Sequence, residues 1–401
     1  MTSQIAISTE ISNDQKIAKT AGYYLAFIVL GLITAVLGPT LTGLAAQTNT
    51  HISQISFLFT ATSLGYLLGS LLGGRIYDRM PGHPVLVGVL IGSAAMMALV
   101  PLIPWLVVLM VVMVGLGIVE GFLDVGCNTL LVWVHREKVA PFMNGLHFFF
   151  GVGAFVSPII IAQAVKLSGG ITWAYWALAL LIAPISLWLV RLPSPPAQIA
   201  AKEEQAANRA NYLLVVLMVL LLFIYVGAEL AFGGWIFTYA VARKLTTETA
   251  GAYLTSAFWG ALTLGRLISI PLAARLRPRF ILLSDLLGCL VSIGIILLWG
   301  DSLIATWIGT VGLGLAMASV FPTVITLAER RMTLTAQIMS WFFVGASLGS
   351  FLPWLIGQLF ERVGPQVVML IIFVDLLLAL GVFFVMISYS ARLVEKKRGK
   401  D

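Results

Sequence analysis

The feature that most constrains this chain is a succession of long apolar segments separated by short polar loops. A helix needs about 20 mainly apolar residues to cross the hydrocarbon core of a bilayer. With Pro, Gly and charge clusters taken as interruptions, the chain divides into twelve such segments, numbered here span 1 to span 12. They lie near residues 21–46, 53–77, 84–103, 105–133, 140–165, 170–191, 212–241, 247–274, 280–299, 303–328, 334–361 and 366–391. We therefore predict an all-α membrane protein with twelve transmembrane helices.

The composition excludes a soluble protein. Of the 401 residues, 60% are hydrophobic and 10% are charged, whereas a soluble domain carries about 25% charged residues. Two cysteines, Cys127 and Cys289, are too few for a disulfide scaffold. The net charge of +7 would suggest nucleic acid as a partner of a soluble protein, but in a membrane protein it follows from the positive-inside rule. We therefore expect the lipid bilayer, and no nucleic acid, as the macromolecular environment.

Lysine and arginine residues are distributed unevenly between the loops on the two sides. If the N-terminus is cytoplasmic, the outer loops hold only four of the 24 basic residues. These four are Lys166, Arg243, Lys244 and Arg362. Loops rich in lysine and arginine stay in the cytoplasm, so we predict that both termini are cytoplasmic, in a plasma membrane or a bacterial inner membrane.

Short motifs recur between the two halves of the chain. The sequence Val-Gly-Leu-Gly at 114–117 returns at 311–314, and Gln163 returns as Gln358, 195 positions later. We predict a six-helix bundle over 1–191, a cytoplasmic linker over 192–211, a second bundle over 212–391 and a basic cytoplasmic tail over 392–401. Parallel six-helix repeats with a binding site between them are typical of secondary transporters. The site is expected between spans 1, 4, 5, 7, 8, 10 and 11.

The loop after span 2 contains a motif. Residues 74–83 read Gly-Arg-Ile-Tyr-Asp-Arg-Met-Pro-Gly-His, which resembles the loop signature of the major facilitator superfamily, with Pro81 as an extra residue and His83 where arginine is usual. The resemblance implies a gating role for Asp78 and Arg79, because a carboxylate at a helix end can pair with a base or cap a neighbouring helix. The alternative is a solvated loop whose charges only set the topology.

Segments inside the spans carry a closer resemblance. Residues 146–155, 225–235, 256–267 and 319–323 resemble spans 5, 7, 8 and 10 of the fucose–proton symporter family, and especially its sodium-dependent glucose transporter-like branch. The resemblance implies cation-coupled sugar uptake. One departure is that residues 31–40 of span 1 contain no ionisable side chain, where the fucose symporters carry an acid. Proton coupling through a first-helix acid is therefore unavailable.

Span 4 places three polar residues on one helix face. Glu120, Asp124 and Asn128 follow one another at intervals of four residues, which puts them one turn apart. An ionisable side chain at the bilayer centre costs about 2.5–3.5 kcal/mol and so has a use by default. Asp124 falls where the fucose family has its fourth-helix acid. We predict Glu120 and Asp124 as coupling-ion ligands, with a possible sodium site between them; the alternative is a buried structural ion pair.

Span 5 contributes two candidates at a similar depth. Spans 4 and 5 are antiparallel and joined by a short loop, so His147 lies level with Asp124, and Asn144 with Asn128. A histidine can titrate near neutral pH. His147 is therefore a candidate sugar ligand or proton relay, and the alternative is a packing histidine.

The second half holds isolated charges within its spans. Glu229 lies near the middle of span 7, and Arg266 lies in span 8 as a candidate gating residue that could neutralise Glu229, Asp285 or Asp375. Asp285 is interpreted, together with Glu329, as a gate or loop partner, and Asp375 has no assigned role.

Tryptophan side chains can stack on the C–H face of a sugar ring, although each can equally be a packing or interface residue. The complete set of predicted substrate-binding residues is Asn128, Asn144, His147, Gln163, Glu229, Trp235, Trp259 and Trp341. We expect no cofactor besides the coupling ion, no enzyme activity, no other metal site and a monomer.

The sequence has no nucleotide-binding Gly-x-x-x-x-Gly-Lys-Ser/Thr motif, so ATP is not expected to drive transport. We predict a cation-coupled symporter of a sugar-like solute that works by alternating access, with sodium favoured over protons. One alternative is a proton-coupled exporter of amphiphilic compounds. Against it, residues 107–114 of span 4 lack the arginine found in the drug–proton antiporters that such an exporter would resemble. The other alternative is a non-transporting membrane sensor, which would be expected to carry a large soluble appendage.

Overall fold

The computed structural model describes residues 12–196, 212–332 and 336–398, and this part of the chain contains twelve helical spans long and apolar enough to cross a membrane. The helices are α1 Asn13–Thr34, α2 Leu37–Thr48, α3 Ile52–Ile55, α4 Phe57–Tyr77, α5 Gly82–Leu99, α6 Leu106–His135, α7 Ala140–Ser168, α8 Thr172–Val190, α9 Tyr212–Ala242, α10 Glu248–Arg275, α11 Pro278–Leu298, α12 Leu303–Met317, α13 Val320–Glu329, α14 Ala336–Gly349, α15 Leu352–Val363 and α16 Val367–Arg398. Spans 1, 2, 10 and 11 each combine two consecutive helices, and every other span is a single helix. The predicted fold class and number of spans are confirmed. Most of the predicted linker lies outside the described residues.

Four spans are interrupted where the sequence predicts continuous helices, and span 2 is interrupted near its start, at Ser56. The other three interruptions lie about one turn before a proline, at Pro39 in span 1, Pro322 in span 10 and Pro353 in span 11. Proline has no N–H group to bond the carbonyl one turn earlier, and its ring collides with that carbonyl. The missing N–H group and the bulk of the proline ring therefore account for these three breaks.

The repeated glycine motif makes the same contact in both halves. A Cβ atom on Gly117 of span 4 would lie 2.0 Å from the carbonyl oxygen of Thr62 in span 2. A Cβ atom on Gly314 of span 10 would lie 2.5 Å from the carbonyl oxygen of Phe258 in span 8. Only glycine permits such close approach. Spans 2 and 4 therefore pack together as spans 8 and 10 do.

The two six-helix sets meet along spans 1 and 7, spans 2 and 11, and spans 5 and 8. We call the end that contains loops 78–81, 136–139 and 276–277 the basic end, because most of the arginine and lysine residues of the loops belong to it. The other end, which contains loops 49–51 and 243–247, is called the opposite end. The basic end is the one predicted to face the cytoplasm.

Candidate functional site

A large cavity lies between the two six-helix sets and extends from the middle of the bundle to the basic end. Its volume is about 1580 Å³, and its wall includes residues of every span predicted to line the site. The structure adds span 2, which contributes residues between Phe59 and Leu71, and the start of span 9. We call this space the central cavity.

The predicted polar face of span 4 lies on the cavity wall. Glu120 is 4% exposed, and its carboxylate accepts a hydrogen bond of 3.0 Å from the hydroxyl of Thr34, beside the break in span 1. Asp124 accepts a hydrogen bond of 2.8 Å from the side-chain amide of Asn128 and another from the hydroxyl of Tyr66. The alternative of a structural ion pair finds no basic partner among the described residues.

The hydroxyl groups of Thr34 and Tyr66, together with Glu120, Asp124 and Asn128, form a cluster that we call the span 4 carboxyl cluster. Thr34 and Tyr66 were not predicted from the sequence. Thr34 and Tyr66 are uncharged and lie in spans that otherwise appear only apolar, so no charge or motif marked them. They bring oxygen atoms from spans 1 and 2 to the carboxyl groups of span 4. The cluster therefore joins three spans of the first six-helix set.

Asn144 and His147 line the cavity on span 5. The imidazole of His147 packs edge-on against the ring of Phe27, with 5.7 Å between centroids. His147 and Asp124, which were predicted to lie at the same depth in the membrane, both line the central cavity. No hydrogen bond joins these two described side chains. Arg266, from the second set, lines the same cavity.

The second set contributes Glu229 and Arg266 to the wall. Among the described residues, Arg266 makes no ion pair with any of the three acids that it could neutralise. Asp285 accepts a hydrogen bond of 2.6 Å from Ser319. Asp375 lies outside the cavity, and its buried Oδ2 atom has no hydrogen-bond partner within the described part of the chain.

The three candidate tryptophans occupy different environments. Trp259 lines the cavity, where its ring contacts Phe150 edge-on and its buried indole nitrogen has no hydrogen-bond partner among the residues that the structure describes. Trp235 does not line the cavity: it is fully buried, and its indole nitrogen donates a 2.9 Å hydrogen bond to the carbonyl of Pro353. Trp341 is also absent from the wall, with 53% of its surface exposed on the outside of span 11. The structure therefore corrects the predicted placement of Trp235 and Trp341.

Gln163 is likewise not on the cavity wall. Its side-chain amide donates a hydrogen bond to the hydroxyl of Tyr253, so it links span 5 to span 8 at the opposite end. At the same end, the carboxylate of Glu361 accepts a 2.9 Å hydrogen bond from the backbone N–H of Ile52, which links span 11 to span 2. These bonds cross between the two six-helix sets and close the opposite end.

The gating candidates Asp78 and Arg79 lie at the basic end and are exposed. Asp78 ends α4, where its backbone N–H bonds to the carbonyl of Gly74. Glu329 lines the mouth of the central cavity at this end. The gating roles of Asp78, Arg79 and Arg266 remain predictions.

A family model described as the Major Facilitator Superfamily matches residues 23–353. The chain is 31% identical over 374 residues to Sodium-dependent glucose transporter 1A of Mus musculus, a match that covers 84% of this chain and 88% of that protein. It is 30% identical over 415 residues to Sodium-dependent glucose transporter 1 of Homo sapiens, covering 94% of this chain and 80% of that one.

Solved structures share the fold at lower sequence identity. The nucleoside transporter NupG superposes with a TM-score of 0.73 at 10% identity, covering 93% of this chain and 99% of that one. A D-xylose–proton symporter superposes with a TM-score of 0.72 at 12% identity, covering 90% of this chain and 97% of that one. These likenesses support the twelve-helix architecture described above.

Proposed function

The chain belongs to the major facilitator superfamily, and on that premise we propose that it is a cation-coupled symporter of a sugar-like solute. One observation carries the proposal: the carboxyl groups of Glu120 and Asp124 lie one turn apart on the cavity wall, without a basic partner among the described residues. Keeping two such groups inside a membrane is costly in free energy. We therefore expect that they serve transport.

The charge of the cavity favours a cation. Glu120, Asp124 and Glu229 lie on its wall, with Glu329 at its mouth, against the single arginine Arg266. A cavity with one sign of charge in excess and walls of low dielectric concentrates ions of the opposite sign. A positive coupling ion inside the central cavity would therefore be attracted towards span 4.

Sodium is the coupling ion that we propose. Small hard cations prefer oxygen ligands, and the carboxylates of Glu120 and Asp124 have the hydroxyls of Thr34 and Tyr66 as neighbours. The names of the relatives from Mus musculus and Homo sapiens are in keeping with sodium and with a sugar as the solute. Protons are the competing choice, because His147 lies on the same cavity wall and an imidazole is a group that can carry a proton.

The solute would bind between polar and aromatic walls. Asn128, Asn144 and His147 can exchange hydrogen bonds with hydroxyl groups, and all three line the cavity. Trp259 offers an aromatic surface, which suits the C–H face of a sugar ring. This combination of many hydrogen-bonding groups with an aromatic surface is the chemistry that a hexose requires.

Transport would follow from rocking of the two six-helix sets. The structure is open at the basic end and closed at the opposite end, where Gln163 and Glu361 bond across the interface. With both termini in the cytoplasm, as the distribution of basic loops predicts, this is the inward-facing state. Release of the outer bonds and closure of the basic end would expose Glu120 and Asp124 to the other side.

The proposal is tested by uptake of D-glucose into proteoliposomes on which sodium and pH gradients are imposed separately. Uptake that follows the sodium gradient and is unchanged by the pH gradient supports the proposal. Absence of glucose uptake under both gradients would contradict the proposal. It would favour the alternative hypothesis of a non-transporting membrane sensor.

One observation favours the second candidate, a proton-coupled exporter of amphiphilic compounds. Much of the wall of the central cavity is apolar, including Leu30, Ile33, Leu116 and Phe343. Efflux of an amphiphilic dye under a pH gradient, together with no glucose uptake, would favour that exporter. The hydrogen-bonding side chains of Asn128, Asn144 and His147 on the same wall favour the sugar-like solute instead.

A further inference from the structure

Two hydrogen bonds connect the break in span 10 to other spans, one to span 7 and one to span 9. The hydroxyl of Tyr225 in span 7 donates a 3.0 Å bond to the carbonyl of Met317, the last residue of α12. The hydroxyl of Ser319, which precedes α13, donates a 2.6 Å bond to Oδ2 of Asp285 in span 9. The position of the break is therefore set by side chains on both of its sides.

Ser319 does not behave as a serine at a helix start usually does. In that position a serine side chain normally accepts a hydrogen bond from the N–H groups of its own helix. Here Ser319 makes no such cap, and its hydroxyl turns to the carboxylate of Asp285. A residue that does not make the hydrogen bond usual for its position in a helix is expected at functional sites.

The bond has a chemical consequence for the central cavity. Both side chains are largely buried, Ser319 with 7% and Asp285 with 9% of its surface exposed, but only Ser319 belongs to the cavity wall. A hydroxyl group has one proton to donate and two lone pairs that accept. Because the proton of Ser319 is committed to Asp285, its oxygen can only accept a further hydrogen bond.

We propose that Asp285 is a positioning residue that fixes Ser319 as a hydrogen-bond acceptor, and that Ser319 thereby selects solutes presenting a hydroxyl donor at this point. The inference rests on the proposed function, because it assigns one contact of the proposed sugar-like solute. Asp285 acts only through Ser319 and does not touch the solute itself.

The first test measures the kinetics of D-glucose uptake in proteoliposomes for the wild type, Ser319→Ala, Asp285→Leu, which removes the acceptor of the Ser319 proton, and the double variant. Loss of one hydrogen bond weakens an interaction by about three- to tenfold. Each single variant should raise the half-saturation concentration by that factor and leave the maximal rate within about twofold. The double variant should be no worse than Ser319→Ala, and Ser319→Thr, which keeps the hydroxyl, should retain the wild-type value.

A panel of monodeoxy-D-glucoses adds a readout that a purely structural role would not change. The wild type should discriminate against the one analogue that lacks the hydroxyl facing Ser319. That discrimination should disappear in Ser319→Ala and in Asp285→Leu, at the same sugar position. The matched control is Asp375→Leu, the same substitution at a carboxyl outside the cavity, which should leave both affinity and discrimination unchanged.

A second test needs no solute. Thermal unfolding of the same four proteins gives a double-mutant cycle for the bond between Asp285 and Ser319. Non-additive shifts in melting temperature support the bond, whereas additive shifts overturn the assignment of Asp285 whatever the uptake shows. Additive losses of glucose affinity, or discrimination that survives in both single variants, also overturn it. If the wild type takes up no glucose while the unfolding cycle shows coupling, the proposed solute fails and the positioning of Ser319 by Asp285 stands.

Discussion

Gln163 and Gln358 occupy equivalent positions in the two six-helix sets, 195 residues apart, and each donates a hydrogen bond into the other set. Gln163 of span 5 donates to the hydroxyl of Tyr253 in span 8. Gln358 of span 11 donates to the backbone carbonyl of Ser53 in span 2 at 2.7 Å. Spans 2 and 8 are themselves equivalent, so the opposite end closes through the same type of residue on both sides.

These two glutamines should stabilise the state that is closed at the opposite end. Each hydrogen bond is worth about 1 kcal/mol, so replacing both Gln163 and Gln358 by alanine should shift the ratio of the two states by about 30-fold. Spin-label distances across the opposite end should lengthen and those across the basic end should shorten. Unchanged distances would mean that the two bonds do not hold the gate.

A matched control for that double variant is Gln47→Ala. Gln47 also lies towards the opposite end, but its amide bonds to the carbonyls of Val100 and Ile103 within its own six-helix set, at 3.1 and 2.7 Å. The substitution removes a similar number of hydrogen bonds without touching the interface between the sets. It should leave the distances across both ends unchanged.

Asp78→Asn should shift the resting population towards the state open at the basic end. The reason is that a carboxylate in this loop can latch the two sets together at that end, and the expected shift is about two- to fivefold. Spin-label distances across the basic end measure it. The control is Asp301→Asn, an exposed acid paired with Arg243 at 2.5 Å within the second set. If both variants leave the distances unaltered, Asp78 is only a topological charge.

The positions of the tryptophans predict contrasting effects on solute affinity. Trp259→Leu removes the aromatic surface from the cavity wall and should raise the half-saturation concentration for D-glucose by about three- to tenfold. Trp341→Leu changes an exposed residue outside the wall and should leave it unaltered. Equal effects of the two substitutions on glucose affinity would contradict the assignment of Trp259 to the site.

The spans were predictable because hydropathy and length alone decide which segments cross a bilayer. The breaks were not, since proline is tolerated within other spans: Pro158, Pro184 and Pro271 lie inside continuous helices. Whether a proline interrupts a helix depends on whether neighbouring groups satisfy the freed carbonyl. That information lies in the packing and not in the local sequence.

The site was partly predictable for a related reason. Glu120 and Asp124 could be identified from the sequence because a carboxylate in an apolar segment is costly. Tyr66 and Ser319 carry no such cost, so only the three-dimensional contacts with Asp124 and Asp285 reveal them. Gln163 was misplaced because a polar residue in a span can serve the interface at a membrane face as readily as the cavity.

His147→Gln separates the two possible roles of His147. Glutamine keeps a hydrogen-bonding side chain but cannot carry a proton, so a sugar ligand should lose about three- to tenfold in affinity while sodium-driven uptake keeps its maximal rate. Kinetics of D-glucose uptake measured from pH 6 to pH 8 provide the readout. Loss of all gradient-driven uptake with preserved glucose exchange would instead make His147 the proton carrier.

The central claim is that the span 4 carboxyl cluster couples sodium to solute movement, and Asp124→Asn tests it most directly. The measurement compares sodium-stimulated D-glucose uptake with glucose exchange at equal sodium on both sides, in wild-type and Asp124→Asn proteoliposomes. Because Asp124 is proposed as an ion ligand, the variant should lose the sodium-stimulated component and keep measurable exchange. Uptake that ignores a sodium gradient in the wild type and follows a pH gradient, or full sodium stimulation in Asp124→Asn, would contradict the account.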